Sequence, residues 1–421
     1  MTTTCGHLGN RRLIHAGGLI DAAGTAFSPG ALLLDDQQVC AWGHPEDIGP
    51  VEDAAFESHP KSVLLPGLVN AHAHLDLSGP GPWPAAGDDF RGWVGQVRSL
   101  RASQDSGDRK RACERGIQLA LNGGTACVGD IAGGPPEEAI QALVESCLHG
   151  VSYIEIFGIG SGTAYGITQI ERAHAAWPSH QGGVAIGLSP HAPYSCDHAV
   201  YEAACATGRP VATHLVETPA EIELLCHGTG PIREMLEDDI GVWDAEVSVP
   251  RKHPVDHLMS VLERSPMLAA HLHWLESRHI PLLAKTHMSG VYCPRAAKAF
   301  GHAPPNLPVH PWRALREAGV NIALGTDALL CLDTPDRISI LDEMRLLWQR
   351  DEVDAMTLLQ MGTVAGAEVL GLDSKLVTFH SNMAGIISVP GGGDRALLQL
   401  EDALSRQEPP VWVLEPHGKM T

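Results

Sequence analysis

The chain has no apolar run approaching the ~20 residues that a bilayer-spanning helix needs, which excludes an integral membrane protein of the helical kind. Its first residues, MTTTCGHLGNRR, are polar where a secretory signal is apolar. Positive charge is scarce: 29 Lys and Arg stand against 50 Asp and Glu, a formal net charge of -21. That balance excludes the basic face on which nucleic-acid binding depends, and the surplus of acid reads as solubility. The 10 cysteines form no C-x-x-C pair, so neither a zinc ribbon nor a thioredoxin-like motif is present, and they read as reduced core thiols. No G-x-G-x-x-G turn follows an early strand, which counts against a doubly wound dinucleotide-binding sheet. These absences leave a cytoplasmic protein whose partner is a small-molecule substrate, with no nucleic acid and no membrane, and for which a homodimer is one expected assembly.

What is present is ordinary globular material: 421 residues, 44% of them hydrophobic, with 45 Gly and 30 Pro. The length suits one large barrel with a small attached domain. RRLIHAGGLID and ALLLDDQQVCAWG alternate apolar residues with turn signals, as do MAGIISVPGGG and PPVWVLEP near the other end. The expectation is a small β-sandwich built from residues 1–62 and 375–421. Between them, eight strand-like runs (SVLLPGLVNAHAH, TACVGDI, SYIEIFGI, VAIGLS, PVATHLV, MLAAHLH, SGVYC and NIALGT) alternate with amphipathic stretches such as RKRACERGIQLALNGG. Eight buried strands alternating with helices predict a (β/α)8 barrel over residues 63–374, an α/β fold. Two connections are unusually long, from Leu77 to about Ser106 and from Thr218 to about His257, the second containing the helical EIELLCHGTGPIREMLEDD. Both follow strand ends, and both read as lids.

The chemistry is concentrated at those strand ends. His72 and His74 in NAHAH are two apart, so on a strand they face the same side, here the barrel interior at its C-terminal mouth. His214 closes the fifth strand and Asp327 the eighth. Singly, His214 also reads as a satisfied core histidine and Asp327 as a helix cap. Together, three imidazoles and one carboxylate make a shell for a borderline divalent cation: zinc, with iron as the alternative.

With these residues in place the chain resembles the amidohydrolase superfamily, in the branch of cytosine, guanine and S-adenosylhomocysteine deaminases and triazine chlorohydrolases. The resemblance rests on PGLVNAHAHLDLS, GLSPHAPYS, THLVETPAE, AAHLHWL, VYCPRAAKAFGH and ALGTDALL, in that order and covering nearly the whole chain. It implies that His72, His74, His214 and Asp327 hold the metal. It implies also that Glu217 is the proton shuttle and that His271, with Asp327, orients the attacking water; His273 then packs or lines the pocket. His191 matches a histidine that often contacts substrate, and reads equally as a structural residue in a Pro-flanked turn. Binuclear members bridge their ions with a carbamylated lysine, and no lysine stands between Lys110 and Lys252. Glu155 is the remaining bridging candidate, so one ion is expected.

The implied reaction is hydrolytic deamination of an amino-heterocycle, nearest to adenine-type nucleosides such as adenosine, S-adenosylhomocysteine or aminodeoxyfutalosine. A chlorohydrolase or cyclic amidohydrolase using the same site is the alternative, and a non-catalytic scaffold on the same fold is a third reading. Trp83 and Trp93 are candidates to stack on a purine, and Arg295 to face an anionic substrate group; both types of residue also serve ordinary packing and surface ion pairing. The loop ALLCLDTPDRIS after Asp327 departs from the short Ser/Asn-rich turn of relatives.

Overall fold

The computed structural model describes residues 10–302 and 310–417. The extreme chain ends, and residues 303–309 of the Phe300–Trp312 stretch, lie outside these described residues.

The chain opens with β1 (Arg11–Ile20), β2 (Ala26–Phe27), β3 (Gly30–Asp35), β4 (Gln38–Gly43) and β5 (Ala55–Pro66). β1 pairs antiparallel with β2 and β3 and parallel with β5, and β3 pairs with β4. The alternation read from the sequence is therefore a hairpin-rich sheet, its inward residues Ile14, Leu32, Leu34 and Leu64 buried in a core cluster of their own. β5 runs through a single Gly67 into the next strand. A Cβ on Gly67 would stand 2.6 Å from that of Ala126, so the tight passage between the two sheets requires glycine there.

Next come β6 (Leu68–His74), β7 (Thr125–Ala132), β8 (His149–Ile156), β9 (His180–Gln181), β10 (Val184–Pro190), β11 (Ala212–Leu215), β12 (Met267–His271), β13 (Met288–Tyr292), β14 (Ile322–Leu324) and β15 (Asp327–Ala328). Every residue of β6, β7, β8 and β10 is buried, the pattern of parallel strands covered on both faces. β6, β7, β8 and β10 pair in parallel in that order, and β11 to β14 form a second parallel set. An isolated parallel bridge, Leu188 to Val211, lies between the two sets, and β15 pairs with β6. The expected eight strands are all present, in a barrel-like α/β arrangement recorded as sheets of six and four strands. Helices such as Ser106–Asn122 and Glu137–Glu145 follow the strands and pack through Ile117, Ile140 and Leu143 into the main core.

The last strands, β16 (Ile386–Pro390) and β17 (Val411–Leu414), return to the first sheet: β16 pairs with β5 and β17 with β16. Both chain ends thus share one seven-stranded sheet. Among the described residues no helix is long and apolar enough to cross a membrane.

The join between β14 and β15 bears most directly on the site. Gly325 and Thr326 separate them, and Asn70 of β6 closes the gap: its Nδ2 donates to Thr326 Oγ1 (2.7 Å) and its Oδ1 accepts from Thr326 N–H (3.1 Å). A Cβ on Gly325 would meet His72 Cβ and O at 2.9 Å and Val291 Cγ1 at 2.8 Å. Gly325→Ala is expected to lower unfolding stability by about 1–3 kcal/mol through this overpacking, measured by denaturant titration; full stability would show that the strand join gives way freely.

Candidate active site

β6, β11, β12 and β15 end together and deliver their last polar residues to one place. His72 and His74, two apart on β6, are both buried, as are His214, His271 and Asp327. His74 Nε2 lies 3.3 Å from His214 Nε2, and Asp327 Oδ1 lies 3.6 Å from His74 Nε2 and 4.0 Å from His72 Nε2. His214 Nδ1 donates to the His191 carbonyl at 2.9 Å, which places its proton on Nδ1 and turns the Nε2 lone pair into the cluster. Both ring nitrogens of His72 and Nδ1 of His74 are buried without a hydrogen-bond partner. Burial, with neighbouring imidazoles adding to it, holds His72 and His74 well below the ordinary histidine range, so both present neutral nitrogens.

The 3.3 Å separation of the two Nε2 atoms matches the edge of a coordination shell. Two nitrogens each ~2.0–2.1 Å from one tetrahedral ion lie roughly 3.3–3.4 Å apart. The donor set of three imidazoles and a carboxylate fits a divalent cation.

Glu217 and His271 complete the cluster: Glu217 Oε1 lies 3.6 Å from His271 Nε2, and the two share a group of potential donor atoms with Asp327, all within 4.8 Å of one another. Burial, with the charges of Asp327 and Glu221 adding to it, raises the Glu217 carboxyl well above the usual carboxylate range. A carboxyl so placed is suited to carrying a proton near neutrality. Burial likewise keeps His271 neutral. The backbone at these strand ends is unusual. Val216 (φ 55°), His271 (φ 78°), Leu272 (φ 56°) and Asp327 (φ 60°) all occupy the left-handed region without being glycine. Each such residue costs of order 1–3 kcal/mol, a concentration typical of functional sites.

The cluster opens into a cavity of about 780 Å³ whose wall includes His74, His214, Glu217 and Asp327. The two long connections supply much of the rest. Helix Phe90–Ser103 contributes Phe90, Trp93, Val97 and Arg101, and the second connection contributes Met235, Leu236 and Ile240. Arg91 ties them together, donating to Asp239 (2.6 and 2.9 Å) and Glu234 (2.6 Å), while Arg98 Nη1 donates to the Asp239 carbonyl (3.0 Å).

Of the residues the sequence offered for substrate contact, His191 and Trp93 lie in the cavity wall. His191 is held by Ser195, whose Oγ lies 2.8 Å from its Nδ1, and burial lowers its pKa to about 3. Trp93 packs edge-on against Phe300, centroids 5.0 Å apart. Trp83 and Arg295 are placed elsewhere. Trp83 packs on the second core cluster, and its backbone N–H donates to the Leu330 carbonyl. Arg295 is buried in an ion-pair network, donating to Glu343 Oε1 (2.7 Å), Asp333 Oδ1 (3.2 Å) and Thr334 Oγ1 (2.9 Å). Its guanidinium is consumed in holding the loop after Asp327, so it does not face the cavity as expected. His273 packs within a group formed by Tyr292, His302 and His310.

Sequence reasoning did not find Arg101 and Asp76. Arg101 donates to Asp76 Oδ2 (2.9 Å) and Glu155 Oε2 (3.1 Å), so the first long connection is pinned to β8 and to the turn after β6. Burial would raise the Glu155 carboxyl, but Arg101, aided by His191 and His214, holds it below the ordinary range. The available signal was spacing: Trp93, Val97 and Arg101 lie at i, i+4 and i+8, one cation on an otherwise apolar helix stripe.

The amidohydrolase family profile matches residues 63–379. The chain belongs to the amidohydrolase family. Aminodeoxyfutalosine deaminase of Deinococcus radiodurans is 26% identical over 389 residues, covering 86% of each chain. Among solved structures, the Helicobacter pylori aminofutalosine deaminase superposes with a TM-score of 0.73 at 18% identity, covering 96% of this chain and 99% of that one. An adenosine deaminase from Xanthomonas campestris with bound zinc gives 0.69 at 20% identity, covering 96% and 92%. These structural likenesses carry the barrel-like fold of the family to this chain.

The Arg91 bridge lies largely at the surface, where ion pairs are worth little singly and are screened by salt. Arg91→Ala is expected to raise KM about two- to fivefold with kcat nearly unchanged, and added salt to move the wild type the same way. Steady-state kinetics at low and high ionic strength check this; an unchanged KM in both arms would show that the bridge does not position the two connections.

Proposed function

We propose that this protein is a metal-dependent hydrolytic deaminase of an amino-heterocycle, with an adenine-type nucleoside as substrate. The observation that carries the reading is the placement of Glu217. Its buried carboxyl stands beside His271 at the rim of the histidine–aspartate cluster, facing a cavity large enough for a nucleoside. The deaminase names of the relatives support the same reaction class. His72, His74, His214 and Asp327 would hold one ion, zinc in the first instance and iron as the alternative. A single ion is supported by the occupation of Glu155 by Arg101 and by the absence of lysine between positions 110 and 252. We further propose that the two parallel sheets close as one eight-stranded barrel, and that the seven-stranded sheet is the core of a separate small β-sandwich domain.

A divalent ion at this site supplies Lewis acidity and a water of lowered pKa. The residues of the chain do the rest. Glu217 takes a proton from the attacking water and passes it to the ring nitrogen next to the carbon that bears the amino group. His271 and Asp327 orient the water and steady the charge that develops as oxygen adds. The carbon–nitrogen bond then breaks, ammonia leaves with a second proton, and the ring carbon keeps the oxygen as a carbonyl. Trp93 and the apolar helix face around it cover the cavity and exclude bulk water from the step.

Ammonia release from adenosine, 5'-deoxyadenosine and S-adenosylhomocysteine, run beside chloride release from a chlorinated triazine, tests the substrate class. Ammonia from at least one purine nucleoside is expected, and chloride release with no ammonia from any purine would overturn the reading. Glu217→Gln is expected to lower kcat by about 10²–10⁴-fold with bound metal retained; undiminished turnover would remove Glu217 from the proton path.

A further inference from the structure

Glu217 should not point into the site at all. Along a strand, side chains alternate, so with His214 facing the cluster, Leu215 faces away, Val216 inward and Glu217 away again. The left-handed turn at Val216 (φ 55°) breaks this alternation and brings Glu217 to the same side as His214. A β-branched residue is the least suited to that conformation, so something must hold it.

We propose that Glu221 is the positioning residue that holds this turn and thereby aims Glu217, an inference that rests on the proton-transfer role proposed above for Glu217. Glu221 is fully buried, with a relative exposure of 0%. One carboxylate oxygen accepts from Val216 N–H and the other from Glu217 N–H, both at 3.1 Å. One carboxylate oxygen on each of two successive amides is a clamp on the peptide unit at which the chain turns. The carbonyl side of the same turn is fixed from β12, where Leu272 N–H donates to the Leu215 carbonyl (2.9 Å) and His273 N–H to the Val216 carbonyl (3.1 Å).

Glu221 has no competing task. Burial pushes its carboxyl up to about 8, opposed only by those two backbone amides and by no cation, and it is not among the residues of the cavity wall. It stands in the first turn of helix Pro219–His227, whose N-cap Thr218 accepts from Ala220 N–H. The helix start therefore carries a carboxylate directed back at the preceding strand end and not at solvent. The segment T-P-A-E reads in sequence as an ordinary helix start, with an acidic residue in the first turn, which hides this second use.

The test is a double-mutant cycle on Glu221→Gln and Glu217→Gln, with 5'-deoxyadenosine, adenosine or S-adenosylhomocysteine as substrate, whichever the wild type turns over fastest. It is read beside amide hydrogen exchange of peptides spanning residues 214–218 in the substrate-free protein. Glutamine keeps the shape but sets an NH2 group against one of the two amides. Glu221→Gln is expected to lower kcat on the order of 10- to 100-fold with KM within about threefold, and to speed exchange in that peptide. Added to Glu217→Gln it should cost no further kcat, because it acts through Glu217. An equal loss in both backgrounds, or wild-type kcat with wild-type exchange, overturns the proposal. If the glutamine variant does not fold, Glu221→Asp carries the same readouts, keeping the carboxyl group while being a methylene too short to reach both amides. Full kcat in Glu217→Gln alone overturns the underlying proton-transfer reading instead. The exchange arm then still decides the clamp: faster exchange on Glu221→Gln upholds it and unchanged exchange overturns it.

Discussion

The mutual approach of four buried donors, the imidazoles of His72, His74 and His214 and the carboxylate of Asp327, is the constraint around which the rest of the molecule is arranged. A buried polar atom left unpaired costs about 1–3 kcal/mol, and here several share one small volume with their lone pairs converging. A divalent cation satisfies such a set at once. The surrounding structure reads as the means of holding it. His214 is oriented by the His191 carbonyl, β15 is stitched to β6 through Asn70 and Thr326, and Gly325 lets the strand join pass against His72.

The second layer is backbone geometry. Four non-glycine residues in left-handed conformations, Val216, His271, Leu272 and Asp327, lie at the strand ends that meet at this cluster. A regular strand alternates sides and cannot present His214 and Glu217 together. The turns resolve that conflict, and hydrogen bonds between adjacent strand ends hold them. Over this lies a third layer, the two long connections, pinned to each other by Arg91 and to the ends of β6 and β8 by Arg101. Arg101 serves twice, engaging Asp76 in the turn after β6 and Glu155 on β8.

Much of this was legible in the sequence, because it follows from periodicity. The eight strand-like runs, the same-face pair His72 and His74, and His214 and Asp327 at strand ends all follow from spacing and position, and the structure brings these four side chains together. Residues that act by pairing across the fold were not legible. Arg295 looks identical in sequence whether it meets a substrate anion or, as here, Glu343 and Asp333, because those partners come 48 and 38 positions later. Trp83 and Trp93 share a connection and a residue type, yet only Trp93 is in the cavity wall: it stands on helix Phe90–Ser103, while Trp83 lies ahead of that helix with its backbone tied to Leu330. Glu217 was found through resemblance, since strand alternation alone would have placed it on the wrong side.

The central claim is that one divalent ion on His72, His74, His214 and Asp327 supports the reaction. The most direct measurement is titration of metal into chelator-treated protein while ammonia release and bound metal are followed in the same sample. The account predicts that activity returns fully at one equivalent of metal per chain. A requirement for two equivalents, or deamination that persists after the metal has been stripped, would contradict it.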